Sequence, residues 1–233
     1  MKRFIKLLFV LTLLFWSGAM SARTFVLCAG VSDYADPQIN DLTRPGKDAV
    51  LFGKLMKTQT QDVTVLTSKH ATAENIISSL RYICSVAKAE DRIIFFFSGH
   101  GGPDMIVAHD ATIAYSTLDS VLKTAKSKTV MCFIDACFAG TAASNVRSNY
   151  VFFVSSRPDE VSQEEPHWVG AGFLSQALMK GMRGKADYNG DRKVTVIELF
   201  RYIYKDVTTR SSEEQHPQLI ASKSMYDTVV VQW

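Results

Sequence analysis

The chain lacks the biases that would mark a special class of protein. Four cysteines, six prolines and thirteen glycines in 233 residues are too few for a disulfide-dense scaffold, a collagenous repeat or a disordered Pro/Gly tract. No apolar run approaches the roughly 20 residues that cross a bilayer, and no internal repeat, low-complexity stretch or interdomain linker is readable. Neither sign of charge dominates, with 26 Lys and Arg against 23 Asp and Glu. A 47% hydrophobic content suits one sizeable globular domain.

The small basic surplus is concentrated at the start. Residues 1–22 hold Lys2, Arg3 and Lys6 and no acid, and removing those three leaves basic and acidic residues equal in number. An apolar run from Leu7 to Trp16, interrupted only by Thr12, leads into the small residues Ser17-Gly-Ala-Met-Ser-Ala22. A charged start, a short apolar centre and small residues are the pattern of a secretory signal peptide. The expectation is a signal peptide over 1–22 and one domain over 23–233, exported to the periplasm or the extracellular space. The rival is an uncleaved anchor, which would be the only membrane attachment. A balanced remainder offers no basic field for nucleic acid.

Short Val-, Ile- and Phe-rich runs at Phe25–Val31, Val63–Leu66, Arg92–Phe97, Thr129–Ile134 and Tyr150–Val154 read as strands, with a final one at Met225–Gln232. Several show no hydrophobic–polar alternation, as expected of strands covered on both faces. Helical patterns fall near 46–57, 73–88, 116–126, 172–182 and 196–208. The expected fold is α/β, a mainly parallel sheet of about six strands with helices on both faces. Residues 156–171 read as a long polar loop. Cys28, Cys84 and Cys132 lie in apolar strand or helix patterns and are expected to be buried thiols.

Cys137 differs. The strand ending at Ile134 runs into Asp135-Ala-Cys-Phe-Ala-Gly140, and the one ending at Phe97 into Ser98-Gly-His-Gly-Gly102. In open α/β sheets ligands gather at the carboxyl ends of strands. If these two strands are parallel neighbours, His100 and Cys137 share one crevice. A thiolate beside an imidazole is an acyl-transfer nucleophile with its acid–base partner. Other chemistries fit less well. Gly99–Asp104 lacks the third glycine of a dinucleotide loop, and Ser98 lacks the glycine of a nucleophile elbow. His70, His109, His167 and His216 have no metal-ligand spacing.

These motifs resemble the caspase-like cysteine peptidases, particularly the bacterial metacaspase-like branch. The similarity rests on Phe97-Ser-Gly-His-Gly101 and Asp135-Ala-Cys-Phe-Ala-Gly140. Weaker support comes from Gly30–Tyr34, Leu42–Ala49, Gly172–Leu178, Ala186–Asp191 and Gln215–Gln218. The resemblance implies a caspase-type sheet and a catalytic Cys137–His100 dyad. It also implies an oxyanion hole from the amides of Gly101 and Cys137, and hydrolysis of peptide bonds without a cofactor. It implies a peptide or protein substrate with Arg or Lys before the cleaved bond, held in a pocket lined by Asp48, Ser98 and Asp135. For Asp135 the alternative is a helix N-cap. Phe138-Ala139 stands where metacaspases carry His-Ser, and Pro45 where some carry Cys. Two rivals keep the dyad: a catalytically silent interaction module and a transpeptidase.

Asp187, Asn189, Asp191, Lys193, Thr195 and Glu198 match positions of a calcium loop, but Arg192 stands where its glycine belongs. Thr195-Val-Ile-Glu198 also reads as a capping box, the favoured reading, so no metal site is assigned. Calcium activation elsewhere is left open. Arg147 and Arg157 are the basic candidates for self-processing between Cys137 and the end of the long loop.

Overall fold

The computed structural model describes residues 22–145, 147–160 and 172–233. The expected signal peptide, apart from its last residue, and most of the long loop lie outside the described residues. Five of the expected strands form at their expected places: β1 (Thr24–Gly30), β2 (Val63–Thr67), β3 (Arg92–Ser98) and, further on, Thr129–Asp135 and Tyr150–Val154. Helices α1 (Pro45–Met56) and α2 (Ala73–Val86) connect the first three. Between β3 and the fourth come three short strands, β4 (Gly101–Gly102), β5 (Met105–Val107) and β6 (Thr112–Ala114), and helix α3 (Tyr115–Leu122). Thr129–Asp135 is therefore β7 and Tyr150–Val154 β8; α4 (Phe173–Lys180), β9 (Lys193–Thr195), α5 (Val196–Arg210), β10 (Gln218–Ala221) and β11 (Val229–Gln232) complete the chain.

The central sheet has six strands in the order β10-β8-β7-β3-β1-β2, parallel except for β10, which runs antiparallel to β8. The sixth strand is β10, which the sequence pattern did not predict, while the final strand expected at Met225–Gln232 forms over Val229–Gln232 outside this sheet. That last segment contributes β11, which pairs with β9 in a separate two-stranded ladder. Both candidates are four-residue strands, too short for periodicity to decide which one joins the main sheet.

Side-chain alternation explains the unbroken apolar runs. In β3, Ile93, Phe95 and Phe97 pack on one face with α2 and α3, while Ile94 and Phe96 pack on the other with α1, α4 and α5. Every one of the five is fully buried, and each contributes about 1.5–3 kcal/mol. Phe52 of α1 stacks on Phe96 with ring centroids 4.5 Å apart. Cys28, Cys84 and Cys132 are buried free thiols, as expected. Burial pushes Cys84 up to about 11, and Cys28 and Cys132 rise further for the same reason.

Candidate active site

The register of β3 and β7 sets the site. Ser98 pairs with Asp135 as the last rung, and the Gly99 N–H extends the ladder by donating to the Asp135 carbonyl at 3.1 Å. His100 and Cys137 each follow that rung by two residues, one on each strand. Both are half-buried, unlike the other three cysteines.

The β4–β5 hairpin presses the His100 segment against Cys137. A Cβ on Gly101 would meet the Cys137 carbonyl oxygen at 2.6 Å and the Ala136 Cβ at 2.9 Å, so only glycine fits that position. Gly101 stands opposite Ile106, and the neighbouring Val107 N–H donates to the His100 carbonyl at 3.0 Å. In an antiparallel ladder hydrogen-bonded and non-bonded pairs alternate, so the Gly101 N–H points away from β5.

His100 is held by Tyr34, the last residue of the Gly30–Tyr34 motif, and by Asn40, which no motif revealed. Its backbone N–H donates to the Tyr34 hydroxyl at 2.8 Å, and the Tyr34 ring lies 5.0 Å from the imidazole. Its Nε2 lies 2.8 Å from the Asn40 carbonyl oxygen. A carbonyl only accepts, so Nε2 carries the proton and Nδ1 is the basic nitrogen of the neutral ring. The loop bearing Asn40 is fixed by Asp41, which accepts the Tyr34 N–H at 3.1 Å, and by the Leu42 N–H on the Ser32 carbonyl.

The segment 155–160 holds Cys137 from both sides. The Ser155 hydroxyl accepts from the Ala136 N–H at 3.0 Å and donates to the Ala136 carbonyl at 2.8 Å. The Phe138 N–H donates to the Glu160 carbonyl at 2.9 Å. Phe138 adopts a left-handed backbone, φ +57°, a conformation that costs a non-glycine residue about 1 kcal/mol or more.

Asp48, Ser98 and Asp135 come together beside this pair, all buried. The Ser98 hydroxyl donates to Asp48 Oδ2 at 3.1 Å, and the Gly172 N–H reaches the same oxygen at 3.3 Å. Asp135 Oδ2 accepts from the Ser175 N–H at 3.0 Å and its hydroxyl at 2.7 Å. Each carboxylate therefore sits at a helix N-terminus: Asp48 in the first turn of α1, Asp135 on the Ser175 amide in the first turn of α4. Such ends favour negative charge. Asp135 caps α4, whose first-turn Ser175 lies 40 positions further along the chain. Gly172 is needed here because a Cβ would approach Asp135 Oδ2 to 2.6 Å.

The calcium-loop positions serve their own backbone. Asp187 accepts the N–H groups of Gly190 and Arg192, and Asp191 that of Lys193. Thr195 and Glu198 form a complete capping box for α5. Among the described residues no group of three or more His, Cys, Asp or Glu stands together as a metal site. Of the self-processing candidates, Arg147 grips Asp119 through two nitrogens at 2.8 and 3.0 Å. Arg157 opens a turn with Pro158 at its second position, closed by the Glu160 N–H on its carbonyl.

The caspase domain model matches residues 23–227. The chain belongs to the caspase domain family. It is thus a member of a cysteine peptidase family, with the caspase-type sheet that its motifs led us to expect. Solved structures agree on the fold. Caspase-1 from Spodoptera frugiperda superposes with a TM-score of 0.68 at 16% identity, over 89% of this chain and 88% of that one. A structural-genomics target from Geobacter sulfurreducens gives 0.67 at 16% identity, over 88% and 97%. The structure of pro-sf-caspase-1 gives 0.67 at 14%, over 86% and 92%. No curated protein matches the chain.

Proposed function

We propose that this caspase-domain protein is an exported, metacaspase-like cysteine endopeptidase that hydrolyses peptide bonds after Arg or Lys through a Cys137–His100 dyad. The observation that carries the reading is the Ser98–Asp135 rung, with His100 and Cys137 two residues beyond it on adjacent strands. His100 Nδ1, the basic nitrogen, takes the thiol proton, and the thiolate attacks the substrate carbonyl carbon. The carbonyl electrons move onto oxygen, which the amides of Gly101 and Cys137 stabilise, each donor contributing about 3 kcal/mol. Collapse expels the amine, which takes the proton from the imidazolium. Water, deprotonated by His100, then releases the acid and restores the thiol. The Asn40 carbonyl fixes the productive tautomer throughout.

Asp48 and Asp135, joined through the Ser98 rung, supply two buried carboxylates that accept from Ser98, Gly172 and Ser175. A guanidinium or ammonium is the complementary guest, and a guanidinium can bind bidentately. No cofactor enters this scheme. Export rests on the basic, apolar and small-residue pattern of residues 1–22.

The test is turnover of fluorogenic peptides ending in Arg, Lys, Asp or Leu by wild type and Cys137→Ala, with and without calcium, alongside an added amine acceptor. Cleavage after Arg and Lys alone, lost in the variant, is expected. No turnover under any condition identifies a silent module, and an amine adduct in place of the acid identifies a transpeptidase.

A further inference from the structure

Gln215-His216 lies far from the motifs in sequence, yet it borders the segment that grips Cys137. The buried Gln215 side chain donates to the Ser155 carbonyl at 2.8 Å, and Ser155 holds both polar backbone groups of Ala136. His216 reaches the other arm. Its Nδ1 lies 2.8 Å from Glu160 Oε1, and its own backbone N–H donates to Glu160 Oε2 at 3.0 Å. The same Oε2 accepts the Arg157 N–H at 3.2 Å, closing the Arg157–Glu160 turn from outside. The Glu160 carbonyl then takes the Phe138 N–H at 2.9 Å. Phe138 is the left-handed residue directly after Cys137, so its orientation does not follow from ordinary backbone preference and has to be imposed.

We infer that Glu160 and His216 form a clasp that positions the Cys137 amide and thiol, acting through the Phe138 peptide rather than by touching substrate. This rests on the reading of Cys137 as nucleophile. Glu160 is the hub, because its carboxylate gathers four donors from two segments while its carbonyl holds the peptide next to the reactive residue. Among the described residues the other charged groups facing the pair are Arg157, 3.4 Å from Glu160 Oε1, and Glu213, 3.8 Å from His216 Nε2. Desolvation would raise the Glu160 carboxyl, but the Arg157 and His216 amides and the His216 ring outweigh it and hold the group below its ordinary value. The acid therefore stays ionised and accepting through the neutral range.

His216→Ala removes the ring donor, whereas His216→Asn keeps an N–H donor near the Nδ1 position. The expected result is a kcat about tenfold lower in His216→Ala, with KM for an Arg peptide unchanged because Asp48 and Asp135 are untouched. His216→Asn recovers most of the loss. Hydrogen exchange at the Phe138 amide, which needs no turnover, accelerates in His216→Ala and Glu160→Gln but not in His216→Asn. Unchanged Phe138 exchange in His216→Ala overturns the clasp, and so does an equal kcat loss in the Ala and Asn variants. If the wild type cleaves nothing, it is the peptidase reading that fails, and the exchange measurement alone decides the clasp.

Discussion

At the amino-terminal edge of the sheet Asp91 is 6% exposed, and at the carboxyl-terminal edge Asp135 has the same 6%. Their surroundings differ. Asp91 accepts the N–H groups of Arg23 and Lys88 at 2.8 Å each. Burial would raise its carboxyl, but those two amides and the nearby Arg23 and Lys88 charges hold it below its ordinary value. Asp135 instead meets the amide and hydroxyl of Ser175, one rung from Ser98 and Asp48. The amino edge also carries a cavity of about 600 Å³ between Arg23, Asp62 and Tyr82, without a cysteine or a histidine on its walls. Burial and cavity volume therefore do not distinguish a site. The neighbours of the acid do: Asp91 staples β1 to β3, whereas Asp135 and Ser98, the residue that donates to Asp48, stand two positions before Cys137 and His100.

The sharpest break in that comparison is removal of the chemistry at one edge only. Cys137→Ala or His100→Ala is expected to lower kcat by about 10⁴-fold or more with the thermal midpoint nearly unchanged, read by peptide turnover and calorimetry. Next, Asp135→Asn and Asp48→Asn should each lower kcat/KM for Arg peptides about a hundredfold. Asp91→Asn should leave kcat/KM alone and cost about 1–3 kcal/mol of stability in a denaturant titration.

Acid titration sharpens the same contrast. Because the folded Asp91 carboxyl lies below its ordinary 3.8, its stabilising contribution is complete above that value and is lost as pH falls through the folded value. Asp119, held below 3.8 chiefly by its hydrogen bond from Arg147, follows the same rule. Stability measured from pH 5 down to 2 should fall less steeply in Asp91→Asn than in wild type. The smallest effect belongs to neither edge. Thr195→Ala breaks the α5 capping box and should cost about 1 kcal/mol without altering turnover.

Much of this was legible in the sequence, for identifiable reasons. The four inner parallel strands β1, β3, β7 and β8 announce themselves because strands covered on both faces are apolar at nearly every position. His100 and Cys137 stand out because each is a reactive side chain at a strand end. Asn40 was not readable, since it acts through a backbone carbonyl that every residue type possesses. Tyr34, Ser175 and Glu160 act across separations that only the fold closes, and Ser175 reaches Asp135 from 40 positions away. The hairpin strands β4 to β6, of two or three residues each, are shorter than any periodicity. The sixth sheet strand, β10, was not legible, because four residues carry no periodicity and only their pairing with β8 makes them a strand.

The most direct test of the central claim is cleavage of a peptide library varied at the residue before the scissile bond, by wild type, Cys137→Ala and Asp135→Asn. The account predicts cleavage after Arg and Lys by wild type, none by Cys137→Ala, and loss of the Arg and Lys preference in Asp135→Asn. Wild-type cleavage after Asp or an apolar residue, or an Arg and Lys preference intact in Asp135→Asn, would contradict it.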